Sequence, residues 1–177
     1  MRYAMVIDTL KCFGCSDCVV ACKTENNVPV GYFRDWITDV VVGSYPNVEL
    51  ELKSERCNHC ENAPCVRCCP TGASHIIDGG IVLVTPEECI GCGACIESCP
   101  YDARFQHPEG YVDKCTFCHH RVEKGQSPAC VSVCPTNCMY FGDLDDPNSE
   151  VSNLLRNRKF KTLAPEAGTK PHVYYLI

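Results

Sequence analysis

The sequence lacks several features that commonly identify a protein's class. Aspartate and glutamate (22) outnumber lysine and arginine (16), so the formal net charge is −6. Because an acidic chain is poorly matched to a phosphate backbone, nucleic acid is not expected as a partner. The longest apolar runs, such as Ile81–Val84, are far too short to cross a bilayer. Any membrane attachment is therefore expected to come through a partner.

Motifs of enzymes are also missing. The chain has no phosphate-binding glycine loop, no nucleotide fingerprint and no pairing of a nucleophile with a base. No extended apolar segment with a small-residue cleavage site follows the N-terminus, so no signal peptide is expected. Large aliphatic residues are thinly spread, which predicts a small conventional core. We expect a chain without catalytic residues, whose folding depends in part on bound metal.

Cysteine, by contrast, is abundant, at 18 of 177 residues. A disulfide scaffold, a set of zinc sites and iron–sulfur ligation are the three competing explanations. Sixteen of the cysteines fall into four groups of four along the chain: Cys12, Cys15, Cys18 and Cys22; Cys57, Cys60, Cys65 and Cys69; Cys89, Cys92, Cys95 and Cys99; and Cys115, Cys118, Cys130 and Cys134.

The spacing within these groups favours iron–sulfur ligation. The third group, followed by Pro100, matches the bacterial ferredoxin run C-x2-C-x2-C-x3-C-P. Disulfides usually join distant loops, and a tetrahedral zinc site has no role for a third cysteine at the same interval. His59 and the pair His119 and His120 raise the alternative of imidazole ligation, but every group already has four cysteines.

Each group fits a tight loop around a 4Fe–4S cluster. Three cysteines at short intervals converge on one cluster, and Gly14, Gly91 and Gly93 give the loops the backbone freedom that this requires. The last cysteine lies beyond a helical turn and points to a neighbouring cluster. Two groups therefore make one two-cluster module, and the chain has enough cysteines for two modules. Sixteen ligating thiolates on four cores of roughly +2 each would make the loaded protein about eight units more negative.

Two cysteines are left over. Cys138 occupies a place where the other repeats have alanine, and we interpret it as a small buried filler. Cys68 is an alternative to Cys69 as the last ligand of the second group, because Cys65 and Cys68 also have the C-x2-C spacing. Pro70, directly after Cys69, favours Cys69 as the ligand. Seven basic residues lie beside the groups, where a positive charge would raise a reduction potential: Lys11, Lys23, Arg56, Arg67, Arg104, Lys114 and Arg121. The alternative for each is a solvated basic side chain without such a role, and the sequence does not rank them.

Short elements of an α+β fold are predicted around the cysteine loops. The expected strands are Tyr3–Asp8, 37–42, 48–52, Ile81–Val84, 139–142 and 172–177. The expected helices are 17–24, 94–98, 116–124 and 149–158.

A family resemblance rests on the four groups, the long gap in the fourth group and three stretches. These stretches are Cys-Asn-His-Cys-Glu-Asn-Ala-Pro-Cys, Cys-Pro-Tyr-Asp-Ala-Arg and Lys-Cys-Thr-Phe-Cys. The chain resembles the four-cluster electron-transfer subunit of the dimethyl-sulfoxide-reductase superfamily. The segments 2–5, 107–112 and 141–147 are most similar to the polysulfide or thiosulfate reductase type. The resemblance implies two bacterial-ferredoxin-like modules in a pseudo-twofold arrangement, with short β-hairpins and a C-terminal extension.

The resemblance also implies a nested pairing of the groups. The implied ligand sets are set one, Cys12, Cys15, Cys18 and Cys134; set two, Cys22, Cys115, Cys118 and Cys130; set three, Cys57, Cys60, Cys65 and Cys99; and set four, Cys69, Cys89, Cys92 and Cys95. Sets one and two make an outer module (1–50 plus 108–145), and sets three and four make an inner module (51–107). Residues 146–177 are the extension, which packs on the modules or on a partner.

By the same resemblance, the chain relays electrons between two partners. One is a catalytic subunit with a molybdenum or tungsten bis-pterin cofactor, and the other is an integral membrane subunit that reacts with quinone. The complex is expected on the periplasmic face of the membrane, with the cytoplasmic face as the alternative. A free polyferredoxin and a self-sufficient enzyme are the rival hypotheses.

Overall fold

Segment 3–8 is a short apolar run, as is typical of a strand that is buried on both faces. It forms the buried centre of the largest sheet in the computed structural model, which describes residues 1–177. The strands are β1 Tyr3–Asp8, β2 Asp35–Ser44, β3 Asn47–Arg56, β4 Ser74–Ile77, β5 Ile81–Val84, β6 Phe105–Gln106, β7 Val112–Asp113, β8 Met139–Asp143, β9 Phe160–Lys161 and β10 Val173–Leu176. The helices are α1 Asp17–Glu25, α2 Pro64–Arg67, α3 Ala94–Glu97, α4 His119–Val122, α5 Ala129–Val133 and α6 Glu150–Asn157. Helices and strands together give the α+β class that the sequence predicts.

The four-stranded sheet has the order β8-β1-β10-β9. Strand β1 runs antiparallel to β8 and parallel to β10, with Met5 opposite Val173 in the parallel pair. The C-terminal strand therefore lies inside the sheet rather than at its edge. The division of the chain into two modules and an extension stays a prediction.

The two faces of this sheet pack against different layers. Val6 and Leu176 are fully buried beneath α6, whose Val151 joins them in a small apolar cluster. Met5 and Ile7 point the other way, into the main buried cluster. Eight of the 20 residues in that cluster are cysteines, so the sheet forms one wall of a cysteine-rich core.

Most predicted elements are observed close to their expected positions, but the helix predicted over 116–124 was wrong in length. Only His119–Val122 is helical, because Phe117 and Cys118 have φ of 52° and 50°. Left-handed backbone cannot continue an α-helix, so the helix begins after Cys118. The predicted tail helix is correct, with Ser149 as its N-cap accepting a hydrogen bond from the Ser152 N–H. None of the helices is long and apolar enough to cross a membrane.

A hairpin of β2 and β3 projects apolar side chains into solvent. Val41 lies opposite Leu50, and Gly43 lies opposite Val48, so the three apolar side chains share one face. Val41, Val48 and Leu50 are 68%, 51% and 58% exposed. At the base of this face, Leu52 approaches the loop at Gly14, beside Phe13, which is 59% exposed. We call this face, from Val41 and Val48 to Phe13, the apolar strip.

Candidate metal centres

Two cavities bring together the cysteines of sets one and two. One cavity is lined by all four cysteines of set two, Cys22, Cys115, Cys118 and Cys130. A second is lined by all four cysteines of set one, Cys12, Cys15, Cys18 and Cys134. In each case the last cysteine of one group joins the first three of the other group, which is the exchange that the resemblance implies.

The cysteines of set three also lie close together. Burial, together with smaller contributions from the neighbouring Cys57 and Cys65 thiolates, raises the pKa of Cys60 to about 12. Burial likewise raises the pKa of Cys99, to which Cys57 also contributes. The pKa of Cys65 is raised mainly by burial and partly by Cys57 and Cys99. Cys57 is therefore the common neighbour of the other three thiols.

Set four is brought together only in part. Cys95 has Cys68 and Cys89 as charged neighbours that add to the effect of burial on its pKa. Cys68 is exposed, and its Sγ lies 3.3 Å from Ser98 Oγ. Cys68 therefore lies near this set, which keeps both registers of the second group open.

The surroundings of Cys69 match those of Cys134, the last cysteine of set one. Cys69 Sγ accepts a hydrogen bond from the Ser74 N–H at 3.4 Å and lies 3.7 Å from Thr71 Oγ1. Cys134 Sγ accepts one from the Cys138 N–H at 3.4 Å and lies 3.6 Å from the hydroxyl of the threonine two residues on. Burial raises the pKa of Cys69 and of Cys134, but these hydrogen bonds outweigh it, so both pKa values are lowered. Equivalent environments favour Cys69 over Cys68.

A backbone feature that the sequence analysis missed recurs in all four groups. The residue before the second cysteine has a left-handed φ each time: 76° at Gly14, 44° at His59, 65° at Gly91 and 52° at Phe117. His59 and Phe117 stack on each other with ring centroids 3.7 Å apart. The repeated C-x2-C spacing, read as one turn geometry, would have predicted this conformation. The stacking could not be foreseen, because neither residue type is required by the motif.

The arrangement does not suit a single metal ion. No three histidine, cysteine, aspartate or glutamate side chains converge closely enough to hold one, and the cysteines instead surround voids. Neither void is lined by a histidine. His59 is buried and accepts a hydrogen bond from the Val82 N–H, whereas His119 and His120 pair with Glu123 and Glu25 at the surface.

Buried N–H donors surround the sulfurs, as thiolate ligands require. Arg56 Nη1 donates to Cys130 Sγ at 3.0 Å, and Arg104 Nη2 donates to Cys65 Sγ at 2.9 Å. Arg56 Nε and Arg104 Nη1 are buried without a protein partner. Arg56 lines the void of set two, and an unpaired cationic donor beside a cysteine-lined void fits a sulfur-rich anionic group. The donor set therefore suits 4Fe–4S clusters.

The structure ranks the basic residues, which the sequence could not. Arg56, Arg104 and Lys114 are buried, whereas Lys11 and Arg67 are exposed. Lys23 and Arg121 are half-buried.

Cys138, one of the two leftover cysteines, is buried and lines the cavity of set one, with its Sγ 3.4 Å from Cys134 Sγ. Burial raises the pKa of Cys138 to about 12, so this thiol is protonated near neutrality.

Comparison with known proteins agrees with this chemistry. A family model for a 4Fe–4S dicluster domain matches residues 48–144, and one for a 4Fe–4S binding domain matches residues 9–25. A tetrathionate reductase subunit of Salmonella typhimurium is 44% identical over 180 residues, covering 99% of this chain and 72% of the relative. A putative dimethyl sulfoxide reductase iron–sulfur subunit of Halobacterium salinarum is 40% identical over 206 residues, covering 99% and 79%. The arsenate respiratory reductase iron–sulfur subunit ArrB of a Shewanella species is 38% identical over 225 residues, covering 99% and 96%.

The fold and the cysteine loops define a protein of the 4Fe–4S dicluster class. The chain belongs to the iron–sulfur subunits of the dimethyl-sulfoxide-reductase family, which are electron-transfer subunits of reductase complexes. The predicted resemblance is thereby confirmed, as is the prediction that the chain binds multiple 4Fe–4S clusters. The assignment of individual cysteines to sets stays a prediction.

Two glycines of the third group make a matched test of loop geometry. Both have positive φ, so Gly91→Ala and Gly93→Ala each introduce backbone strain of about 1–2 kcal/mol. An added Cβ at Gly91 would lie 2.3 Å from the Gly110 carbonyl oxygen, whereas at Gly93 it would meet nothing within 4 Å. We expect iron analysis to find about four of sixteen irons lost in Gly91→Ala and full content in Gly93→Ala. Equal iron content in both variants would contradict this account of the loop.

A second comparison tests the register of the second group. Cys69→Ser is expected to lower the iron content by up to about four of sixteen atoms, or to leave a cluster with altered electron paramagnetic resonance (EPR), because a ligand is lost. Cys68→Ser should keep both the iron and the spectrum. The opposite result, with the defect in Cys68→Ser alone, would assign the ligand to Cys68.

Proposed function

We propose that this chain relays electrons through four 4Fe–4S clusters between a quinone-reactive membrane subunit and a molybdenum or tungsten bis-pterin catalytic subunit. Each bound cluster would supply one-electron transfer. The protein's own residues hold the clusters in sequence, exclude water from the inner ones and set their potentials. The pseudo-twofold arrangement of two modules is part of this proposal.

The observation that supports the proposal is a series of contacts from each predicted set to the next. Arg56 connects sets one and two, since it donates to Cys130 and hydrogen-bonds Ser54, which lies 3.6 Å from Cys18 Sγ. Sets two and three adjoin at Cys115 and Cys57. Burial is the main reason that the pKa of Cys115 is raised, and the nearby Cys57 thiolate adds to this effect.

The inner pair of sets is connected in the same way. Sets three and four adjoin at Arg104, which hydrogen-bonds Cys65 and has Cys95 as a charged neighbour. Each set therefore has a contact with the next one along the row.

Burial along this row suits a relay. Cys15 of set one and Cys92 of set four are exposed, whereas all four cysteines of set two are buried. In set three only Cys99 is partly exposed. A row with accessible ends and a buried middle is what transfer between two partners requires. A self-sufficient enzyme would need a substrate site, for which the residues around the sets offer no catalytic group.

The apolar strip is the surface that we assign to the catalytic subunit. It continues from the hairpin to Phe13, in the loop that carries the exposed Cys15 of set one. Solvent-exposed apolar side chains grouped in this way are typical of protein interfaces. The opposite face of the hairpin carries Glu49 and Glu51 beside the exposed Val42 and Val40, and its two carboxylates favour a water-soluble partner over lipid.

We further propose that the complex acts on polysulfide, thiosulfate or a related sulfur compound. The support is the phrases at 107–112 and 141–147, together with the tetrathionate reductase subunit among the relatives. We place the complex on the periplasmic face of the membrane, by the same resemblance. Protease accessibility of the complex in spheroplasts tests the side, because a cytoplasmic complex would be protected until lysis.

Cluster content is the first test of the four-cluster relay. Anaerobically purified protein should contain about sixteen iron and sixteen acid-labile sulfide atoms per chain. The reduced sample should give an EPR spectrum of interacting 4Fe–4S centres. Zinc in place of iron would refute the proposal, and half the expected iron would remove one module from it.

Co-purification tests the apolar strip and separates a fixed subunit from a free polyferredoxin. Leu50→Asp places a charge in the centre of the strip and should abolish recovery of the catalytic subunit with the tagged chain, while leaving the iron content unchanged. Val30→Asp is the matched control, because Val30 is 95% exposed and lies outside the strip. Recovery of the chain without any partner, in the unaltered protein, would favour the polyferredoxin.

A further inference from the structure

Two buried arginines occupy equivalent places in the two proposed modules. Arg56 hydrogen-bonds Cys130, the third cysteine of the fourth group, and its Nη2 lies 3.8 Å from Met139 Sδ. Arg104 hydrogen-bonds Cys65, the third cysteine of the second group, and Ser74 Oγ at 2.9 Å. Met139 and Ser74 each lie five residues after the last cysteine of the group concerned. The two guanidinium groups therefore have matching neighbours.

The two side chains reach these places from different points in the repeat. Arg56 immediately precedes the first cysteine of the second group, whereas Arg104 follows the last cysteine of the third group by five residues. Lys114 holds the position in the fourth group that corresponds to Arg56, and it instead hydrogen-bonds the carbonyl oxygens of Val82 and Cys115. The match is therefore not a simple copy from one repeat to the other. It indicates that the site itself requires a cation.

Each guanidinium also reaches the second set of its own module. Arg104 hydrogen-bonds Cys65 of set three and has Cys95 of set four as a charged neighbour. Arg56 reaches Cys130 of set two directly and Cys18 of set one through Ser54. Both side chains are almost fully buried, at 1% and 5% exposure. Because the dielectric constant is low in such places, a fixed charge there acts strongly on its neighbours.

We propose that Arg56 and Arg104 are positioning residues that each raise the reduction potentials of the two clusters on either side of them. This inference rests on the four-cluster relay proposed above. Reduction adds an electron to a cluster, so a permanent positive charge and an N–H donor to its cysteine sulfur favour the reduced form. Arginine suits this role because it stays protonated in proteins and presents several donors in a fixed fork.

The two sites differ in one respect. Arg56 pairs with the buried Asp35 carboxylate at 3.2 Å, whereas Arg104 has no acidic partner. Removal of the Arg104 charge therefore leaves no carboxylate without its partner, so Arg104 is the better residue for a first substitution.

The test is a redox titration of the intact chain, followed by EPR, after the iron content has been measured. Arg104→Gln should keep about sixteen irons and shift two clusters to more negative potentials, with the other two unchanged. Arg104→Lys keeps the charge and should shift them less. Arg67→Gln is the control, because Arg67 lies beside the same group but is exposed, and it should leave all four potentials unchanged.

Arg56→Gln provides the same measurement in the other module and should move the other two clusters. Potentials unchanged in a fully loaded Arg104→Gln chain would overturn the proposal, as would a shift shared equally by all four clusters. If the glutamine variants lose their clusters, the lysine variants decide between the two roles. Lysine variants that hold all clusters near the original potentials support a role for charge. Lysine variants that lose their clusters assign the arginines a purely structural role. A chain with less iron before any substitution would refute the relay itself and not this inference.

Discussion

The structure depends on one constraint, which is that many cysteine sulfurs must be buried in a small core with their charge compensated. Eight of the 20 residues in the main buried cluster are cysteines, and the aliphatic contribution comes mainly from one sheet and from Ile81 and Val82. Bare thiolates at such density would repel one another, and burial itself raises the pKa of thiols such as Cys115. Metal ligation removes the protons and neutralises much of the charge. Folding and cluster binding are therefore expected to be coupled.

The polypeptide compensates the part of the cysteine sulfur charge that the metal does not neutralise. Backbone N–H groups donate to Cys69, Cys89, Cys115 and Cys134, and the two arginines donate to Cys65 and Cys130. A buried arginine is normally costly unless it is paired. Here the sulfurs are its partners, so residues that would destabilise an ordinary core stabilise this one. The same contacts that hold the fold together are thus the ones that set electron affinity.

The sequence predicts the cysteine groups, most short elements and the family, because ligand spacing and turn residues are local properties. It could not rank Arg56 and Arg104 above Arg67, since burial is decided by contacts between residues tens of positions apart. The helix predicted over 116–124 shows the limit of local propensity: the C-x2-C turn imposes left-handed backbone on Phe117 and Cys118, and ligand geometry overrides the helical pattern. Cys68 and Cys69 are adjacent and chemically identical, so spacing alone does not separate them.

The residue before the second cysteine differs between the exposed and the buried cysteine groups. All four groups need a left-handed residue there, and glycine adopts it without the cost of about 1–2 kcal/mol that other residues incur. Glycine is present in the two groups whose second cysteine is exposed, at Gly14 and Gly91, where an added Cβ would contact Leu52 or clash with the Gly110 carbonyl oxygen. His59 and Phe117 replace it in the two groups whose second cysteine is buried, and they stack on each other. Their rings fill the space where the central loops meet and keep water out, which is a sufficient physical reason to accept the backbone strain.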